Sequence, residues 1–130
     1  MTPLQLKELS VQQYEQKDFV GAKRSLQQLI ESNPKDSLLW SNLSYISYLL
    51  SDYVNGEEQA RQAIRHDELS AAAYNNLVLN LNAQGKYLEG LKMLEHAIEI
   101  HPAQADIWIN KGVTLQALLR IPEALSLIHI

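Results

Sequence analysis

Hydrophobic residues return along this chain at two spacings. Over short stretches they fall three and four apart: Tyr74, Leu77, Val78 and Leu81 in AAAYNNLVLNLNAQ (71–84), then Leu91, Leu94, Ala97 and Ile98 in YLEGLKMLEHAIEI (87–100). That is the period of one helical face. Over a longer range the whole pattern repeats every 34 residues with no gap. Trp40, Tyr74 and Trp108 fall in register, with Leu6 in the first copy; so do Leu9, Leu43 and Leu77, and then Phe19, Tyr53 and Tyr87. Ala22, Gly56, Gly90 and Ala124 share a seat reserved for small residues, and Leu29, Ala63 and Ala97 are each followed by isoleucine. Punctuation agrees. Gly85 supplies a left-handed stop, Pro102 forces its predecessor out of helical geometry, and Thr2-Pro3-Leu4-Gln5 combines an N-cap, a first-position proline and a capping-box glutamine. The pattern predicts helices near 3–16, 19–32, 37–50, 53–66, 71–84, 87–100 and 105–118, and no strand.

An aromatic followed by leucine three on, a turn, an aromatic opening a second helix, a small residue, an alanine and a closing proline resemble the tetratricopeptide repeat. The resemblance covers one domain, 1–130, with units 3–36, 37–70 and 71–104 and a truncated fourth at 105–124. It implies an all-α right-handed superhelix of antiparallel helix pairs. Some positions depart from the family: Ser10, Ser44 and Val78 replace the usual glycine, Gly56 and Gly90 the usual alanine, and Glu68 a proline. A glycine inside a helix costs about 1 kcal/mol relative to alanine, too little to unseat the fold.

Composition narrows the function. With 130 residues the chain can bury a core, and its net charge of −4, with no Lys/Arg cluster, argues against nucleic acid. The N-terminus has no apolar signal region and no run approaches the roughly 20 apolar residues of a membrane helix. A soluble cytoplasmic chain that does not enter membranes is therefore expected. Cysteine is absent, so thiolate metal sites and disulfides are ruled out.

No catalytic, cofactor-binding or metal-binding set emerges. His96 and His101 stand five apart, not at the i, i+4 spacing of a helical metal pair, and read as solvated surface residues, as do His66 and His129. Glu57, Glu58, Glu95 and Glu99 neighbour Arg61, Arg65 and Lys92 on helical faces, which predicts exposed i, i+4 pairing. There is no phosphate-binding glycine loop and no nucleophile elbow.

Asparagine is the stronger signal. Asn42, Asn76 and Asn110 recur at the period, with Glu8 in the first copy. The resemblance places this position on the concave groove, and the column is similar to the asparagine ladder of O-linked N-acetylglucosamine transferases, whose amides clamp an extended peptide. An amide donates and accepts at once, so it can pair with either peptide group. Val11, Tyr45, Leu79 and Val113 lie one turn along the same face, followed by Tyr14, Tyr48, Asn82 and Gln116. Chaperone-binding members of the family clamp a peptide terminus with Lys and Arg. Here Lys7 alone qualifies, and Ser41, Asn75 and Ile109 at the corresponding seats are uncharged. The expected partner is a protein or peptide, taken as a neutral extended segment or helix. The alternative is the N-terminal repeat region of a larger bacterial enzyme, such as a glycosyltransferase or sulfotransferase carrying these repeats.

The fourth copy ends in LSLIHI (125–130), which matches one translation frame of the transposon-end adapter used in preparing sequencing libraries. This predicts that the natural chain continues past Ala124. It also predicts apolar exposure around Leu115 and Leu118, and weak self-association through an uncapped C-terminal face.

Overall fold

The computed structural model describes the backbone of residues 1–128 and the side chains of residues 1–120. Its elements are α1 (Pro3–Glu15), α2 (Phe19–Ser32), α3 (Ser37–Leu49), α4 (Tyr53–His66), α5 (Ala71–Ala83), α6 (Tyr87–Ile100) and α7 (Ala105–Ile128), with no strand among the described residues. The odd-numbered helices form one layer, α3 against α5 and α5 against α7. Each even-numbered helix packs on its own partner and on the first helix of the next pair. This is an all-α solenoid of stacked helix pairs.

Local chemistry explains the starts of α1, α3 and α5. Thr2 and Gln5 form the reciprocal capping box that starts α1; Asp36 caps α3 through Leu38 N–H, and Ser70 caps α5 through Ala73 N–H. Inside each pair the turn hinges on one left-handed residue: Lys17 (φ 61°), Ser51 (φ 61°) and Gly85 (φ 78°). These three are 34 residues apart, and each turn closes with the same bonds, for example Gly85 N–H to Asn82 O and Lys86 N–H to Leu81 O.

The fourth copy departs from expectation here. Its turn seat is Leu119, and α7 continues through 118 to Ile128 as one helix instead of breaking before a second. A leucine gains nothing locally from a left-handed conformation that costs an L-residue about 1–2 kcal/mol, so the helical path continues. Trp108, Ile109, Val113, Leu115 and Leu119 are exposed along it, which meets the expectation at Leu115, whereas Leu118 is half-buried. The adapter reading of LSLIHI falls on side chains outside the described residues.

The core runs along the stack. Leu26, Leu29, Leu39, Leu43 and Ile46 close the first half, while Tyr74, Val78, Leu94, Ala97 and Ile107 close the second, with Ala60, Leu77 and Leu81 between them. Full burial of each leucine is worth about 1.5–3 kcal/mol. Two periodic columns turn out to be partners. The first-helix aromatic donates to the carbonyl six residues earlier in every copy that has one: Trp40 Nε1 to Pro34 O (2.7 Å), Tyr74 Oη to Glu68 O (3.1 Å) and Trp108 Nε1 to Pro102 O (2.8 Å). The ring thus pins the incoming loop to its helix, and because the acceptor is a main-chain oxygen, Glu68 serves as well as proline.

A second pairing alternates. Ser25 Oγ donates to Gln13 Oε1 (2.7 Å) in the first pair, and Ser47 Oγ donates to Gln59 Oε1 (2.6 Å) in the second. Positions 13 and 47 are equivalent, as are 25 and 59, so the same hydrogen bond is built with its residues exchanged. In the third pair the seats hold Leu81 and Met93, and the contact is apolar.

Gly56 also acquires a reason. A Cβ there would lie 2.1 Å from Asn80 Oδ1. Asn80 is fully buried, and its Nδ2 donates to Asn76 O at 2.8 Å and, more weakly, to Ser44 Oγ and O. Ser44 Oγ in turn donates to Gly56 O at 2.7 Å. The missing methyl group makes room for a buried amide between the second and third pairs.

Candidate functional site

The residues that sequence reasoning assigned to the groove lie on α1, α3, α5 and α7. Their environments differ. Asn42 is exposed and its amide makes no hydrogen bond among those of the described residues. Asn76 is half-buried and donates from Nδ2 to both Ser41 O and Ser41 Oγ, each at 2.9 Å, tying α5 to α3. Asn110 is half-buried as well and donates to Asn75 Oδ1 at 2.9 Å, tying α7 to α5. Two of the three asparagines therefore act as struts between successive pairs, their Nδ2 groups turned toward the neighbouring helix.

Asn82 is also committed inward. Its Nδ2 donates to Thr114 Oγ1 at 2.8 Å, its Oδ1 is buried without a hydrogen-bond partner, and a Cβ on Gly90 would meet that oxygen at 2.6 Å. Leu79 is half-buried and Val113 exposed further along the groove face. Sequence reasoning took Ser41 for an uncharged groove seat and missed Thr114; both are buried hydroxyls that receive these amides. Both stand in first helices at seats whose partner lies 35 or 32 residues away, so only the stacking of pairs brings them into contact.

The geometry converges at the α1–α3 end. A cleft of about 290 Å³ opens between the two helices, walled by Val11, Tyr14, Asn42 and Tyr45 and floored by Ala22 and Leu26. Tyrosines continue from it as a chain: the Tyr14 and Tyr45 centroids are 6.3 Å apart, Tyr45 stacks on Tyr48 at 6.2 Å with 21° between planes, and Tyr48 meets Tyr53 at 5.8 Å. Such offset and tilted pairs stabilise by about 0.5–1.5 kcal/mol beyond their area. Burial pushes the Tyr45 hydroxyl above its ordinary value of 10.0, and the neighbouring Tyr14 and Tyr48 add to the rise, so it remains a neutral donor and acceptor. No charged side chain lines this cleft.

Two readings, of Glu57 and of His101, need revision. Glu57 was expected on an exposed face. It does pair with Arg61 (3.1 Å), but it is largely covered and also accepts from Gln84 Nε2 (2.9 Å) and Lys86 Nζ (3.1 Å), which lie at the end of α5 and the start of α6. His101 is half-buried, and its Nε2 meets the Leu69 carbonyl; His96 is exposed, as the sequence implies, while its ring packs edge-on against Tyr74 at 5.5 Å. These histidines fasten loops and aromatics. Among the described residues no group of three His, Asp or Glu could hold a metal ion, and no helix is long and apolar enough to cross a membrane. A wider cleft of about 450 Å³ lies in the outer layer between α4 and α6, bordered by Arg61, Arg65, Tyr74, Met93 and His96.

No protein-family model and no curated protein matches the sequence. Solved structures do match in shape. The TPR domain of Sgt2 from Aspergillus fumigatus superposes with a TM-score of 0.86 at 16% identity, covering 93% of this chain and 82% of that one. The first TPR of Spaghetti (RPAP3), bound to the HSP90 peptide SRMEEVD, gives 0.83 at 20% identity over 90% and 95% of the two chains. An O-GlcNAc transferase from Thermobaculum terrenum gives 0.79 at 21% identity, covering 87% of this chain and 22% of the transferase. What this chain shares with all of them is the tetratricopeptide-repeat fold.

Proposed function

We propose that this chain is a non-catalytic, cytoplasmic protein-interaction module that holds an extended peptide segment or a helix against the face lined by α1, α3, α5 and α7. One observation carries the reading: a cleft between α1 and α3 whose lining is uncharged, made of tyrosines, aliphatics and one free amide, Asn42. Structural neighbours support it, since the RPAP3 and Sti1 domains are recorded with HSP90 or HSP70 peptides or complexes. The chemistry of the ligand differs from theirs. Peptides such as SRMEEVD and SGPTIEEVD are acidic, whereas this groove offers only Lys7 as a cation and places Glu8 beside it. The groove is therefore poorly suited to an acidic tail. The alternative, repeats belonging to a larger enzyme, has the Thermobaculum terrenum transferase behind it, and nothing in the site favours it over peptide capture.

Photo-crosslinking tests the proposal. A benzoylphenylalanine at Leu79, on the groove face, should give discrete protein adducts in cells, and one at Val54, on α4, should not. Adducts from Leu79 should disappear when Tyr45 is changed to Glu. Equal labelling from both positions, or adducts indifferent to Tyr45→Glu, would refute groove binding.

A further inference from the structure

We infer that the groove anchors its peptide at the α1–α3 end, through one bulky apolar side chain that has a lysine or arginine within two residues. This deepens the proposed groove reading and rests on it. The apolar half follows from the cleft itself. Its volume of about 290 Å³ is at the lower end for ligand pockets, suited to a single large side chain, and its walls are Val11 and two tyrosine rings. Asn42 stands at the edge with both functions of its amide free for the backbone of the bound segment.

The cationic half follows from what adjoins the cleft. Val11 is also the wall of a second, shallower hollow of about 320 Å³, formed along α1 by Lys7, Glu8, Gln12 and Glu15. Glu8, Gln12 and Glu15 are spaced four and three apart, so they project from one face of the helix. Every ion pair among the described residues lies at Glu57, Arg61, Lys86 or Glu89, so both α1 carboxylates are uncompensated there, against the single ammonium of Lys7. The hollow is therefore net negative. Tyr14, 42% exposed, adds a ring face at the junction that can receive a cation. Successive side chains of an extended peptide lie about 3.4 Å apart along the strand and alternate in direction. A residue seated in the cleft thus brings its neighbours, one or two places away, over the Glu8–Glu15 flank. The same carboxylates repel an acidic tail, so attraction and exclusion act in one direction.

Selection from a displayed random heptapeptide library against the full chain tests this. The enriched peptides should carry Leu, Met, Phe or Trp with Lys or Arg within two positions, and Asp and Glu should be depleted. For a peptide so selected, Val11→Ser with Tyr14→Ala should weaken binding about tenfold or more. Glu8→Gln with Glu15→Gln should weaken it about three- to tenfold and flatten its salt dependence. An acidic enriched motif, a pool with no motif, or binding indifferent to the α1 variants would overturn the inference. The groove reading fails separately. Loss of binding on Leu79→Ser with Val113→Ser alone would keep the groove and discard the anchor. Loss only on Arg65→Ala with His96→Ala, in the outer cleft, would discard both.

Discussion

Replacing Asn76 with alanine removes two hydrogen bonds at once, those from Nδ2 to Ser41 O and Ser41 Oγ, each 2.9 Å long. Ser41 is 2% exposed, so water cannot readily take over. A typical intramolecular hydrogen bond contributes about 0.5–1.5 kcal/mol net, and a buried group left unpaired costs about 1–3 kcal/mol. The two estimates overlap because they describe the same loss, and a destabilisation of about 1–3 kcal/mol follows. For a chain of this size each kcal/mol moves Tm by roughly 3–5 °C. Asn42→Ala, at the equivalent seat one repeat earlier, removes an exposed amide with no partner and should stay within about 0.5 kcal/mol. Urea unfolding of both variants and the parent, followed by circular dichroism, makes the comparison. The periodic sequence alone treats these asparagines as equivalent. If the two variants shift the midpoint equally, or Asn76→Ala not at all, the strut assignment is wrong.

Further outcomes follow from the packing. Gln13→Ser and Ser25→Gln should each destabilise, while the double variant recreates the Ser47–Gln59 arrangement, so a double-mutant cycle in urea should give a coupling of about 1 kcal/mol or more. Gly56→Ala, which in an open helix would stabilise by about 1 kcal/mol, should instead lower the thermal midpoint, because its Cβ would press on Asn80 Oδ1, an oxygen whose amide is anchored on its other side. At Glu57, burial favours the protonated acid, but hydrogen bonds from Gln84, Lys86 and Arg61 outweigh it and hold the carboxyl below its ordinary 4.5. A depressed folded-state pKa contributes stability above the unfolded value and loses it as pH falls through the folded one. Urea midpoints measured from about pH 7 down to pH 3 should therefore fall less steeply for Glu57→Gln than for the parent across the acid end.

The fold was readable because one period governs both burial and punctuation. Trp40, Tyr74 and Trp108 mark the stacking seat, and six of the seven helices begin and end within a residue of where the pattern puts them. The seventh overruns, although its signal was present. The left-handed seats 17, 51 and 85 hold Lys, Ser and Gly, while 119 holds Leu, and attention to the seat rather than to Pro122 would have predicted a continuous helix. For the candidate site the sequence supplied a helical register and nothing further. Periodicity says that Asn42, Asn76 and Asn110 share a direction, but whether an amide meets water or a neighbour depends on what lies 34 or 35 residues back. Asn76 finds Ser41 and Asn110 finds Asn75. Behind Asn42 stands the first copy, where α1 does not press against α3 as closely as α3 does against α5. That gap both frees Asn42 and opens the cleft. The Gln–Ser exchange could have been found from the aligned repeats, since 13/47 and 25/59 invert together, yet only paired helices show why.

The two indoles anchored to Pro34 and Pro102 also give the chain a pair of internal optical reporters. Tryptophan occurs only at 40 and 108, two repeats apart, and each ring holds its own loop through a hydrogen bond that must break when its repeat opens. With Trp40→Phe or Trp108→Phe, fluorescence follows one repeat at a time. In a linear array, stability divides into terms within repeats and terms between neighbours. Emission from Trp108, on the half-open seventh helix, should be red-shifted in the native state relative to that of the more enclosed Trp40. The separation of their midpoints in urea then measures how strongly the Asn76, Asn80 and Asn110 amides couple one repeat to the next: coincident curves mean the array melts as a single body, and displaced curves mean that it frays.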